Sequence, residues 1–231
     1  MASPTVDDST TYGSTTSSGS HAVTIPNPCA AGKTLLMFFT SDDSGDTATE
    51  PSGWTALVTG TSGSSRSSIF YKKSNGSEGA TATVAISALE QASARTFCIG
   101  GAADPEITAP EYTRNNTSSP SATPNPPLHT PSGGSDDYLY LSYAAINGSV
   151  TTSVYPTDYV GTNTTPSTGG GDVTTASCYV GRTASTSENP SAYTISASQA
   201  WDAYTVSITP LAAVGVSIPV LHHSRTLHRM I

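Results

Sequence analysis

Carboxylates, histidines, hydroxyls and aromatic rings are the side chains through which this chain could do chemistry, and their spacing decides what each could do. Asp42, Asp43, Asp46 and Glu50 share one short stretch, and carboxylates at alternate positions can ligate calcium. DDSGDTATE lacks the full Asp-x-Asp/Asn-x-Asp/Asn-Gly pattern, so it reads as a solvated acidic loop. Paired carboxylates for glycoside hydrolysis would have to come from Asp42 with Asp46 or Asp136 with Asp137, which look like loop acids. The Gly-x-Ser-x-Gly elbow of a nucleophilic serine is missing, and none of the five histidines sits in a recognisable pairing that would activate a hydroxyl. His222 and His223 are adjacent, which does not give the facing geometry of a helical metal pair. Trp54 and Tyr112 could stack on a sugar ring. Trp54 and Trp201 each follow turn-type residues and open a strand, which reads as core or rim packing.

The elements that would position these groups are organised around residues 32–58. Residues 34–39 form a short apolar strand without helical periodicity. Pro51-Ser52-Gly53 is a tight turn that can aim Trp54 back into a core before a second strand over residues 55–58. The series recurs about one hundred residues later. Leu36, Phe38, Pro51 and Trp54 correspond to Leu141, Tyr143, Pro156 and Tyr159, all at an offset of 105. Tyr71 corresponds to Tyr179 at an offset of 108, and Phe97 to Tyr204 at 107. Two similar halves of about five strands each are expected. Alternation puts Arg95, Phe97 and Ile99 on one face, and likewise Leu139, Leu141 and Tyr143, with Tyr138 and Tyr140 opposite. Asn75-Gly76 reads as a hairpin turn.

Composition narrows the class. Charged residues make up 11% of the chain and hydrophobic ones 35%, while Ser and Thr together are roughly a third. Thr, Val and Tyr suit pleated surfaces, and Ser, Gly, Asn and Pro suit the turns between them, so the chain is expected to be all-β. A net charge of −8, with six arginines and three lysines, cannot line a phosphate track, which excludes nucleic-acid binding as the main role. No window approaches the ~18 apolar residues of a membrane span, and no basic and apolar leader of the signal-peptide kind is expected. Cys29, Cys98 and Cys178 are odd in number and lack CxxC spacing, which suits neither a disulfide framework nor zinc. Cys98 and Cys178 are expected as buried thiols.

Three segments flank or interrupt the body. Residues 1–20 are small and polar and read as a flexible arm or an edge strand. Residues 109–135 hold six prolines and read as an extended surface connector between halves 21–108 and 136–210. About five strands per half is thin for an independent sandwich, so both halves are expected to build one two-sheet antiparallel β-sandwich of jelly-roll type over residues 21–210. Residues 211–231 mix an apolar run with a basic cluster. Leu221, His222, His223, Arg225, Leu227 and Arg229 would form a tail that docks on a partner or a neighbouring copy.

Taken in order, GKTLLMFFTSDD, EPSGWTAL, FYKKSNGSEGATATVAIS, SDDYLYLSYAA, YPTDYV and ENPSAYTISASQAWDAYTVSITP resemble a family of β-sandwich proteins encoded among the virion genes of tailed bacteriophages. The resemblance covers about residues 21–210; it departs at Gly-Lys-Thr, where Gly-Asp-Leu is more usual, and in the histidine-rich tail. It implies a structural particle component without a cofactor and transfers no catalytic residue. The function expected from it is a capsid decoration protein of the virion, assembled in the host cytoplasm. Its partners would be the major capsid protein or tail proteins and sister copies in a dimer or trimer. A tail- or fibre-associated module binding host-surface carbohydrate is the alternative.

Overall fold

The computed structural model describes residues 3–45 and 47–212, which form fourteen strands and no helix. Among these, β1 (Thr5–Gly13), β3 (Thr34–Ser41), β4 (Thr55–Ser62), β5 (Ser65–Lys73) and β7 (Ala92–Gly100) build one antiparallel sheet in the order β1-β7-β3-β5-β4. A second sheet has the order β11-β12-β9-β14-β8. It comprises β8 (Glu111–Ser121), β9 (Leu139–Asn147), β11 (Val160–Pro166), β12 (Val173–Gly181) and β14 (Gln199–Ile208). Two strand pairs complete the fold: β2 (Ser18–Thr24) with β6 (Thr81–Glu90), and β10 (Thr152–Val154) with β13 (Thr194–Ile195).

Reading the second sheet backwards, as β8-β14-β9-β12-β11, reproduces the order of the first. The duplication is therefore in the hydrogen bonding as well as in the residues. Leu36 faces Tyr71 across β3 and β5, and Leu141 faces Tyr179 across β9 and β12, which reproduces the offsets of 105 and 108. The last strands are corrected by two residues. Leu36 also faces Phe97, whereas Leu141 faces Val206, so Phe97 matches Val206 rather than Tyr204. A slip of two leaves every side chain on its original face, which is why alternation did not reveal it.

The two five-stranded sheets lie face to face as the expected sandwich. Strand alternation sends Leu36, Phe38, Ile69, Phe97 and Ile99 from one sheet, and Leu141, Tyr143, Tyr204 and Val206 from the other, into a common core. Phe38 stacks on Tyr143 at 4.5 Å between ring centres, and Tyr143 on Tyr204 at 5.4 Å. Such pairs are worth roughly 0.5–1.5 kcal/mol each beyond the area they bury. The opposite faces are not left to solvent. Leu35, Met37, Phe39 and Phe70 pack under β2–β6 with Val23, Val84 and Ile86, and Tyr140, Ile146 and Trp201 pack with Tyr193 and Ile195 at β10–β13. Sheets covered on both faces explain the unbroken burial of β3, β7 and β9.

Several expectations are revised. Residues 5–13 of the N-terminal arm are the edge strand β1, paired along β7. Residues 111–121 of the proline-rich connector are the edge strand β8, paired along β14; its one proline, Pro120, lies at the outer end of an edge, where a missing donor is tolerated. Asn75-Gly76 does not close a hairpin. It carries the chain from β5 in the sheet to β6 in the covering pair, with the Asn75 carboxamide accepting from the Ser77 amide at 2.7 Å. Cys29 and Cys98 are not free thiols but a disulfide, with Cα atoms 5.8 Å apart, that ties the loop before β3 to the middle of the sheet. Cys178 is the buried thiol that was expected, and burial pushes it up to about 12.

Candidate functional site

Trp54 is placed by the Pro51-Ser52-Gly53 turn, whose Pro51 carbonyl accepts from the Trp54 amide at 2.9 Å. The turn recurs at Tyr159 with Pro156. Both rings are buried, at 7% and 8% exposed, and each belongs to the outer core of its own half. Trp201 is likewise buried. Tyr112 lies on β8, 37% exposed, with its ring 6.2 Å from that of Tyr204 in the inter-sheet core. The two rings proposed for sugar stacking thus sit in different layers and do not form one platform.

Trp54 borders a cleft of about 230 Å³ between its turn and the start of β6. Ile25, Pro51 and Ala82 are the other apolar residues that line it, and Ser52, Thr81, Thr83 and the Lys72–Glu78 pair are the polar ones. Lys72 Nζ is 3.0 Å from Glu78 Oε2, and Glu78 Oε1 accepts from the Asn75 amide at 3.0 Å. Those side chains are 15% and 9% exposed.

Asp43 Oδ1 accepts from the Gly45 amide at 2.7 Å, closing a turn on itself. Among the described residues no three His, Cys, Asp or Glu side chains gather as ligands, and Asp46 lies outside them. Asp136 and Asp137 serve turns: their Oδ1 atoms accept from the amides of Asp137 and Ala184, at 2.8 Å each. Leu221, His222, His223, Arg225, Leu227 and Arg229 lie outside the described residues.

A serine and a histidine do meet, contrary to the expectation that no histidine finds a partner of this kind. His129 Nε2 is 2.9 Å from Ser207 Oγ, and its Nδ1 is 2.8 Å from Thr113 Oγ1. His129 is 3% exposed and Ser207 1%, and burial lowers the imidazole below its usual value. The duplication explains the pair. Cys98 faces Leu35 and Ser207 faces Tyr140, and Leu35 and Tyr140 are equivalent at the offset of 105. Ser207 therefore stands where Cys98 stands, and His129 reaches it from the loop before the central strand, as Cys29 does in the first half. A disulfide in one copy is a hydrogen bond in the other. With a threonine hydroxyl instead of a carboxylate on Nδ1 and no open face, the pair is a staple rather than a nucleophile and base.

Charge is buried between the sheets as well. Asp202, on β14, accepts from Arg114 Nε at 2.9 Å and from Ser67 of the opposite sheet at 2.8 Å. Ser67 also meets the Tyr204 hydroxyl at 2.6 Å. Burial raises the Asp202 carboxyl against the pull of Ser67 and Arg114. Gly60, on β4, makes this possible, because a Cβ there would lie 2.6 Å from Arg114 Nε and closer still to the Tyr204 hydroxyl. Arg95, on the first sheet, donates to the Gly161 carbonyl at 2.6 Å and the Ser177 carbonyl at 3.2 Å on the second, and lies 4.7 Å over the Phe97 ring. These groups are matched to one another across the sheet interface, which gives the two halves one register. Strand alternation placed Arg95 on the inner face; nothing local in the sequence distinguishes Ser67 or Asp202 from a surface polar residue.

No family model matches the chain, and neither the curated proteins nor the solved structures include one found similar to it.

Proposed function

We propose that the chain is a non-enzymatic structural component of a tailed-bacteriophage particle, a decoration protein seated on the head. The resemblance over residues 21–210 motivates this reading, and the observation that supports it most is the His129–Ser207 pair. Among the described residues, this buried hydroxyl and imidazole stand in for the disulfide of the other half, so both are spent on cohesion. A four-layer body in which the central strands of each sheet are covered on both faces has the mechanical character a shell component needs. The disulfide suits a protein that ends up outside a cell, as a released particle does. Quantitative mass spectrometry of purified particles tests the reading. Hundreds of copies per particle support a shell position, a few to a few dozen transfer the protein to the tail, and absence from particles overturns the proposal.

A further inference from the structure

We propose that the cleft beside Trp54 binds a single neutral sugar ring, an activity that goes beyond a structural role and does not depend on it. At about 230 Å³ the cleft is smaller than the roughly 300–1,000 Å³ of drug-sized sites, which leaves room for one ring and not for a chain of them. Its lining matches the two aspects of a pyranose. Trp54, Ile25, Pro51 and Ala82 offer apolar surface to ring C–H groups. The Lys72 ammonium donates, the Glu78 carboxylate accepts, and the Thr81 and Thr83 hydroxyls do both, as a ring of hydroxyls requires. Because Lys72 and Glu78 neutralise each other at 3.0 Å, the site favours an uncharged ligand.

The second half supplies an internal comparison. There Tyr159 occupies the place of Trp54, and an Arg182–Glu188 pair with the six-residue spacing of Lys72 and Glu78 lies two residues further along than the strand register places that pair. Glu188 accepts from Arg182 at 2.9 and 3.1 Å and from the Tyr159 hydroxyl at 3.3 Å, so its oxygens are committed within the protein. The Trp54 indole N–H is also a donor but makes no bond to Glu78. Glu78 holds one ammonium and one backbone amide, and a carboxylate has about four acceptor positions. Glu78 therefore keeps acceptor capacity beside the cleft.

The test is an NMR titration of the full chain with the methyl glycosides of glucose, galactose, mannose and N-acetylglucosamine. The expected result is that at least one glycoside shifts the Trp54 indole N–H and the Thr81 and Thr83 amides together, saturating near a dissociation constant of about 1 mM. Glu78→Gln should then weaken binding about tenfold, the loss of a charge-assisted acceptor. Thr83→Val, an exposed position on β6, should weaken it without disturbing the core if Glu78→Gln fails to fold. Absence of shifts with all four glycosides, shifts centred on Tyr159, or undiminished affinity in a folded variant would overturn the proposal.

Discussion

Removal of the Cys29–Cys98 cross-link is the perturbation whose size follows most directly from the structure. The bridge closes a loop of 69 residues. In the chain-entropy treatment a loop of that length restricts the unfolded state by about 4 kcal/mol, near the top of the roughly 2–4 kcal/mol usually measured. For a chain of this size each kcal/mol moves the melting temperature by about 2–4 °C, so Cys29→Ser with Cys98→Ser should melt roughly 5–15 °C lower. Differential scanning calorimetry with and without reductant reads this out, and reductant should shift the wild type but not the double variant. A thiol count adds a second check: the native chain should expose no reactive thiol and the unreduced, denatured chain one, Cys178. Three reactive thiols after denaturation, or an unchanged melting temperature in the double variant, would refute both the pairing and the staple role assigned by analogy to His129 and Ser207.

Ser207→Ala strips the buried imidazole of one partner and should cost about 1–3 kcal/mol by denaturant unfolding, with no loss of any catalytic activity. The same histidine predicts a pH dependence. Its folded value lies below the usual 6.5, so the unfolded chain binds the proton first. Its contribution to stability is therefore present above that value and is lost as pH falls from about 6.5 towards the folded value. The slope reaches up to about 1.4 kcal/mol per pH unit; in His129→Gln that component of the unfolding-versus-pH curve should vanish. Gly60→Ala forces a Cβ against Arg114 and the Tyr204 hydroxyl and should destabilise by about 1–3 kcal/mol, whereas alanine at Gly79, whose Cβ would meet only the Thr81 carbonyl at 3.8 Å, should not clash. Tyr143→Phe removes a hydroxyl that donates to the Phe39 carbonyl at 2.8 Å between the sheets and should cost about 1 kcal/mol by the same unfolding assay.

The central strands were legible because a buried strand writes its two faces into alternate residues, and here both faces carry large side chains, as in Leu139 to Tyr143. The repeat was legible at Trp54 and Tyr159 because turn chemistry fixes spacing there. What the sequence hid was held together at a distance. β1 and β8 are polar edge strands, TVDDSTTYG and EYTRNNTSSPS, whose place comes from backbone pairing with β7 and β14 rather than from an apolar pattern. Cys29 and Cys98 are 69 residues apart with an odd third cysteine, and no local spacing announces such a bridge. The equivalence of that bridge to His129 and Ser207 needed the register of both sheets. The cleft at Trp54 was half visible: the ring is marked by its turn, but its neighbours Lys72, Glu78 and Thr83 come from β5, the loop after it and β6, which only the fold brings beside it.

Cryo-electron microscopy of intact particles carrying the genome that encodes this chain tests the account at its centre. The account predicts a two-fold-repeated, four-layer β density on the outer surface of the head, into which residues 3–212 fit as one body. Particles whose every resolved density is assigned to other chains, with this one recovered apart from them, would contradict it.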